Sequence, residues 1–168
     1  QNHCQRVNAI IEDILKLSRR NRSQEESIPL DRWLTDYVQE LNLHHQGRFQ
    51  LSILQPQQNA CIDARHLKQI LDNLCNNALK HSPLEQGPIL VEVDGSPCIR
   101  IMDHGNGIAP SHLQHLFEPF FTTSHQGTGL GLYISRELAE LNKAELSYAR
   151  LRNKTCFTLS LVNADHAV

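Results

Sequence analysis

Apolar residues recur at helical spacing in four stretches of this chain and alternate at strand spacing between them. The first stretch sets Val7, Ile10, Ile11, Ile14, Leu15 and Leu17 on one face of residues 1–20, with charges on the other. Such a lone stripe needs a partner, either another helix or a second copy of the chain. Polar residues 21–27 predict a linker. After Ile28-Pro29-Leu30, Asp31 is the expected N-cap of a helix that carries Trp33, Leu34, Tyr37, Val38 and Leu41 and ends near His44. The stretch 48–64 reads as strand, with Phe49, Leu51 and Ile53 alternating, and residues 64–81 as a strong helix built on Leu67, Ile70, Leu71, Leu74 and Ala78. Two strands, Ile89–Val93 and Cys98–Met102, flank the turn Asp94-Gly95-Ser96-Pro97. A short helix over 111–116, a Gly-rich loop, a helix marked by Leu130, Ile134, Leu138 and Leu141, and strands over 144–151 and 155–162 complete the chain. The pattern predicts an α/β two-layer sandwich: a mixed β-sheet with helices on one face, preceded by one amphipathic helix.

Charge divides the chain unevenly. Residues 1–24 hold five basic side chains against two acidic ones, a net of +3, which leaves −5 for the rest of a chain whose total is −2. Two structural units are therefore expected, 1–24 and 25–168. The near-neutral total argues against a nucleic-acid binder. Five dispersed cysteines (Cys4, Cys61, Cys75, Cys98, Cys156), none in a Cys-x-x-Cys pair, predict reduced thiols rather than disulfides or zinc ligands. Among ten histidines no His-x-x-x-His pair occurs, so solvated surface is their expected setting. No apolar run approaches the roughly 20 residues of a membrane helix. A chain opening on Gln1 is expected to be a piece of a longer protein.

Three segments carry chemistry. In the helix 71–82, Asn73, Asn77 and Lys80 fall at i, i+4 and i+7 and so share a face away from the apolar stripe. Amide oxygens beside an ammonium suit hydrated Mg²⁺ carrying phosphates; a plain solvated face reads the same way. Asp103-His104-Gly105-Asn106-Gly107 follows a strand directly, so a carboxylate can accept from an exocyclic amine where bare backbone admits a flat ring; an ordinary turn has the same look. Gly127-Thr128-Gly129-Leu130-Gly131-Leu132 runs into a helix start, where backbone N–H groups can face an anion. It has neither the spacing of a dinucleotide fingerprint nor the Gly-Lys-Ser/Thr of a P-loop.

Taken in order, these segments resemble a known family. Asn73–Ser82 is similar to the N box, Asp103–Gly107 to the G1 box, Leu116-Phe117-Glu118-Pro119-Phe120-Phe121 to the F box, and Gly127–Leu132 to the G2 box of the ATP-binding domain of bacterial sensor histidine kinases, a GHKL (Bergerat) fold. The resemblance covers about residues 25–165. Residues 1–20 are similar to the second helix of the dimerisation and phosphotransfer hairpin of such kinases. Phe120-Phe121-Thr122-Thr123 before a short lid resembles kinases paired with NtrC-type regulators, and Leu132–Leu138 with the N-terminal helix resembles the type IV pilus sensor kinases in particular.

The resemblance implies roles. Asn77 would ligate Mg²⁺, supported by Asn73, and Lys80 would meet phosphate; these three form the catalytic set. His81, where the family often has an aromatic ring, would line the ATP pocket. Asp103 would read the adenine amine, and Gly105 and Gly107 would admit the base beside Ile108. Gly127, Thr128, Gly129 and Gly131 would wrap the phosphates as a mobile lid. Phe117 and Leu130 would supply lid and pocket packing. The lid Ser124-His125-Gln126 lacks the basic residue of some relatives. More important, the first hairpin helix with its acceptor histidine is not in this sequence, and His3 lies in the wrong helix to replace it. The implied activity is transfer of the ATP γ-phosphoryl group to a histidine outside this chain, then to a response regulator, by a homodimer whose cytoplasmic domain belongs to an inner-membrane sensor.

Two other classes share the fold. Gyrase-type, heat-shock and mismatch-repair ATPases place a water-activating glutamate four residues before the metal-binding asparagine. Here that position is Asn73, which cannot act as a base, and Asp72 points about 100° around the helix. A non-catalytic nucleotide-sensing module is the other alternative.

Overall fold

The computed structural model describes residues 23–124 and 127–166. The stripe at 1–20 and the lid residues His125 and Gln126 lie outside the described residues. The described chain runs β1 (Glu26–Pro29), α1 (Leu30–His44), β2 (Phe49–Ile53), β3 (Asn59–Ile62), α2 (Ala64–His81), β4 (Ile89–Asp94), β5 (Cys98–Asp103), a 3₁₀ segment (Pro110–His115), α3 (Gly131–Leu141), β6 (Glu145–Leu151), β7 (Lys154–Ser160) and β8 (Val162–Asn163).

The main sheet has the order β2-β4-β5-β7-β6. β2 is parallel to β4, and every other neighbour is antiparallel. Register explains the single core. Val91, Ile101 and Phe157 stand opposite one another across three strands, as do Val93, Ile99 and Leu159. These rows are buried together with Leu67, Ile70, Leu71 and Leu74 of α2 and Ile134 and Leu138 of α3. Truncating one such fully buried leucine to alanine costs about 2–5 kcal/mol, so this packing fixes how α2 and α3 lie on the sheet. On the opposite sheet face Glu92 is buried, but it accepts from Arg100 at 3.0 Å and Arg152 at 3.3 Å, so its charge is paired.

Three expectations change. The strand-like stretch 48–64 splits: β2 joins the main sheet, while β3 pairs with β1 and β8 in a separate antiparallel sheet of three strands. A run of bends around Pro56 separates the two strands, which alternation alone does not reveal. Asp31 does not cap α1, which opens one residue earlier behind Pro29 without a side-chain cap. Its Oδ2 instead accepts from the Gln57 N–H at 2.8 Å, pinning that bend to the helix. The expected linker over 21–27 is also built into the fold where it is described: Glu26 and Ser27 belong to β1, and the residues before them are held by side chains. Ser23 Oγ donates to Asn142 Oδ1 at 3.1 Å, and the Gln24 N–H donates to Asp63 Oδ2 at 2.9 Å.

Those contacts belong to a polar network at the start of α2. Asp63 is the N-cap, accepting from the Arg65 N–H at 2.9 Å and from the Arg65 guanidinium at 2.7 Å. Asn142, just past α3, uses all its amide capacity. Its oxygen accepts from Ser23 and from the Asp63 N–H at 3.0 Å, and its nitrogen donates to the Leu138 carbonyl at 2.7 Å and to Nδ1 of His66 at 3.0 Å. One buried side chain thus ties α2 and α3 to the point where the described chain begins.

Candidate nucleotide site

The C-terminal half of α2, the end of β5, the loop after it and the start of α3 surround a cavity of about 600 Å³, a size suited to a cofactor. Eleven of the fourteen predicted positions line it: Asn73, Asn77, Lys80, His81, Asp103, Gly107, Ile108, Gly127, Thr128, Gly129 and Gly131. Helical periodicity brings the first four to one side, because α2 buries Leu71, Leu74, Cys75 and Ala78 against the sheet and turns the asparagines away from it.

The α2 residues are not equivalent. Asn73 Nδ2 donates to the Gly131 carbonyl at 3.1 Å and to Ser135 Oγ at 3.0 Å, so its amide nitrogen binds α2 to the first turn of α3. Asn77 and Lys80 have no hydrogen-bond or ion-pair partner among the described residues, and Lys80 is exposed. Asp72 is fully engaged elsewhere: it accepts from Tyr37 Oη at 2.9 Å and pairs with Lys68 at 3.3 Å. Asp103 is therefore the sole carboxylate lining the cavity among the described residues.

Asp103 is 4% exposed and sits at the last position of β5. Its Oδ1 accepts from the Gly105 N–H at 2.7 Å, and Oδ2 has no partner among the described residues. Burial pushes its carboxyl above the ordinary range, against the pull of that N–H and of His81, His104 and Arg150. The loop that follows turns tightly against α2. A Cβ at Gly105 would lie 2.8 Å from the His81 carbonyl oxygen and 2.7 Å from Asp103 Oδ1, so only glycine fits there. Gly129 is constrained twice, by φ of +72° and by the Phe120 backbone, which a Cβ would strike.

Three predicted positions lie outside the cavity. Gly105 is buried beneath its wall, where close approach rather than ligand contact requires it. Leu130 is 2% exposed in the main core, where it leads into α3. Phe117 faces α3 instead, with the Arg136 guanidinium 5.8 Å from its ring centre, and lines a separate groove against β6.

Other lining residues were not singled out as site residues, Asn76, Asn106, His112, Phe121, Thr122 and Thr155 among them, although Asn76, Asn106 and Phe121 fall inside the N, G1 and F boxes. Thr155 pairs in register with Asp103 across β5 and β7 and is buried beside it, a neighbour that only the strand pairing reveals. His112 and Phe121 meet edge to face, with ring centres 5.4 Å apart, and nothing in their spacing announces that contact. Among the described residues no group of three His, Cys, Asp or Glu side chains could hold a metal ion.

A protein-family model described as "Histidine kinase-, DNA gyrase B-, and HSP90-like ATPase" matches residues 62–165, more than half of the chain and every wall of the cavity. The chain belongs to this ATPase family. Within it, the chain is similar to sensor histidine kinases. It is 34% identical to the sensor protein kinase PilS of Pseudomonas aeruginosa over 97% of this chain and 33% of that protein. It is 31% identical to the sensor histidine kinase ZraS of Klebsiella oxytoca over 80% of this chain and 30% of that one. The domain thus spans about a third of the length of these relatives. Among solved structures, full-length ShkA in complex with AMPPNP superposes with a TM-score of 0.76 at 21% identity, covering 97% of this chain and 37% of ShkA, which supports the fold. No helix of the described residues is long and apolar enough to cross a membrane.

Proposed function

We propose that this domain binds Mg-ATP in the cavity and, within a longer protein, passes the γ-phosphoryl group to a histidine on another segment for relay to a response regulator. The observation that carries the reading is one cavity holding two kinds of unmet polar group. Asn77 and Lys80 lie on α2, and one oxygen of Asp103 lies at the end of β5. Adenine, donating its exocyclic amine, suits Asp103. Phosphates suit Lys80 and the start of α3, where N–H groups emerge behind Gly129.

Asn77 fits a magnesium ion delivered by the nucleotide, because it offers a single amide oxygen and, among the described residues, no carboxylate cage surrounds it. Such an ion would neutralise charge on the phosphate oxygens. ShkA was solved with an ATP analogue, which supports the ligand class. Transfer breaks the bond from the γ-phosphorus to its bridging oxygen and forms one to an imidazole nitrogen, with ADP leaving. Water attack would need a base, and neither Asn73 nor the engaged Asp72 supplies one. The hydrolase reading is therefore the weaker.

The similarity to PilS over 97% of the chain, and to ZraS over 80% of it, supports three finer assignments. They are that the segment before Ser23 belongs to a dimerising hairpin, that the receiver is an NtrC-type regulator, and that the parent is a membrane-anchored homodimer. Incubation of the full-length protein with γ-labelled ATP tests the whole. Acid-labile label on a histidine, absent in Asn77→Ala, is expected. Inorganic phosphate without protein label would favour the hydrolase. This chain alone should bind ATP without labelling itself, and acid-labile label on it would overturn the view that its acceptor lies outside.

A further inference from the structure

The loop from Asp103 to Ile108 forms one wall of the cavity, and two side chains of the edge strand β6 hold it from behind. Tyr148 Oη accepts from the Ile108 N–H at 2.9 Å. Arg150 Nη1 donates to the Gly105 carbonyl at 2.7 Å. Arg150 is itself braced, by Thr155 Oγ1 at 3.3 Å and by the Asn153 carbonyl at 3.0 Å. The Tyr148 ring packs on Phe157, centre to centre 5.3 Å, and Phe157 lines the cavity. Between the two anchors lies Gly107, with φ of +79°; a Cβ there would lie 2.8 Å from Tyr148 Oη and 2.9 Å from Arg150 Cδ. Loop and braces thus fit closely. Yet neither Tyr148 nor Arg150 lines the cavity; both face the groove on the other side of the loop.

The hydrogen bonds form a chain. The Gly105 N–H holds Asp103 Oδ1, and the Gly105 carbonyl is held by Arg150. The guanidinium thereby decides which oxygen of Asp103 is left for a ligand, and Tyr148 fixes the loop at Ile108. A segment with two glycines would otherwise lose about 1–2 kcal/mol of backbone freedom per residue on binding, so bracing it beforehand favours the ligand.

We infer that Tyr148 and Arg150 are positioning residues of the nucleotide site, setting the shape of the base-facing loop and with it the choice of adenine. The inference rests on the reading of Asp103 as acceptor for the adenine amine. Three probes separate the effects: ATP, inosine triphosphate, which replaces the amine by a carbonyl, and magnesium tripolyphosphate, which has no base. Each is titrated calorimetrically into the chain and its variants.

The unmutated chain should prefer ATP to inosine triphosphate. Tyr148→Phe, which removes only a hydroxyl, and Arg150→Met should each reduce that preference roughly threefold or more, the equivalent of one net hydrogen bond. Arg150→Lys, keeping one donor, should recover part of it. Tripolyphosphate affinity should not move. Variants that keep the full ATP preference would overturn the inference, as would variants that lose ATP and tripolyphosphate in parallel. If the unmutated chain shows no preference, the reading of Asp103 itself falls, a result distinct from either.

Discussion

At the start of α2, Asp63, His66 and Asn142 bond to one another and to the entering chain at Ser23 and Gln24. Asn142 is buried and makes four hydrogen bonds. Further along that helix, Asn77 carries the same amide on α2 itself, yet it bonds to nothing among the described residues and borders a cavity. A saturated amide has no capacity left for a ligand, so its worth is stability. An unsaturated one adds little to the fold and keeps its capacity for whatever enters. Two asparagines near one helix therefore divide the work, and burial together with hydrogen-bond count tells them apart.

The largest effect should come from the saturated end. Asn142→Leu strands the Asp63 N–H, the Leu138 carbonyl and Nδ1 of His66 in a buried setting. Each unmet group costs about 1–3 kcal/mol and some will find other partners, so a loss of about 3 kcal/mol is expected in urea unfolding. ATP affinity measured well below the midpoint should hold. A neutral Asn142→Leu would abolish the contrast. Next comes Asn77→Ala, which should weaken Mg-ATP binding tenfold or more, about 1.4 kcal/mol, with unfolding stability changed by no more than about 0.5 kcal/mol. An equal loss of stability would place Asn77 with Asn142, as a structural amide.

The sequence carried this contrast only in part. Periodicity located all three described helices, and most strand ends fell within two residues, because apolar rows on α2 and β5 must meet one core. Motif order located the cavity, since eleven of its lining residues sit in three short segments. Long-range polar pairing was not legible. Nothing near Asp63 announces a bond to a residue 79 positions later, and Tyr148 and Arg150 look like ordinary strand residues until β6 is laid beside the loop. Asp31 shows the same blind spot: a good capping residue was drawn to a bend 26 positions away.

A third test concerns Asp103. Asp103→Asn keeps an oxygen for the Gly105 N–H but can turn a donor toward the base. The ATP preference over GTP should fall about five- to tenfold, since the matched polar pair is lost. Unchanged preference would remove Asp103 from the recognition of the base.

The smallest effect, and the finest test, is the opposite pH response of two aspartates near the two ends of α2. For Asp63, burial raises the carboxyl, but the Arg65 guanidinium and the N–H groups of Gln24 and Arg65 outweigh it and hold it well below the ordinary range. Its charged form is favoured by folding. Its contribution is therefore whole above the unfolded value near pH 4 and drains away as pH falls below that. Arg65 is largely exposed, so solvent screens the pair and the contribution at stake is small. For Asp103, burial wins and the carboxyl titrates above the ordinary range, so folding disfavours its charged form. The cost of that charge is present at neutral pH and disappears as pH falls through the folded value. Asp63→Asn should thus lower stability at pH 6, with the deficit shrinking toward pH 3. Asp103→Asn should match or exceed the parent at pH 6, with any advantage shrinking on acidification. Urea unfolding at a series of pH values measures both. Two variants moving in the same direction would show that burial and hydrogen bonding do not distinguish these carboxylates as the structure requires.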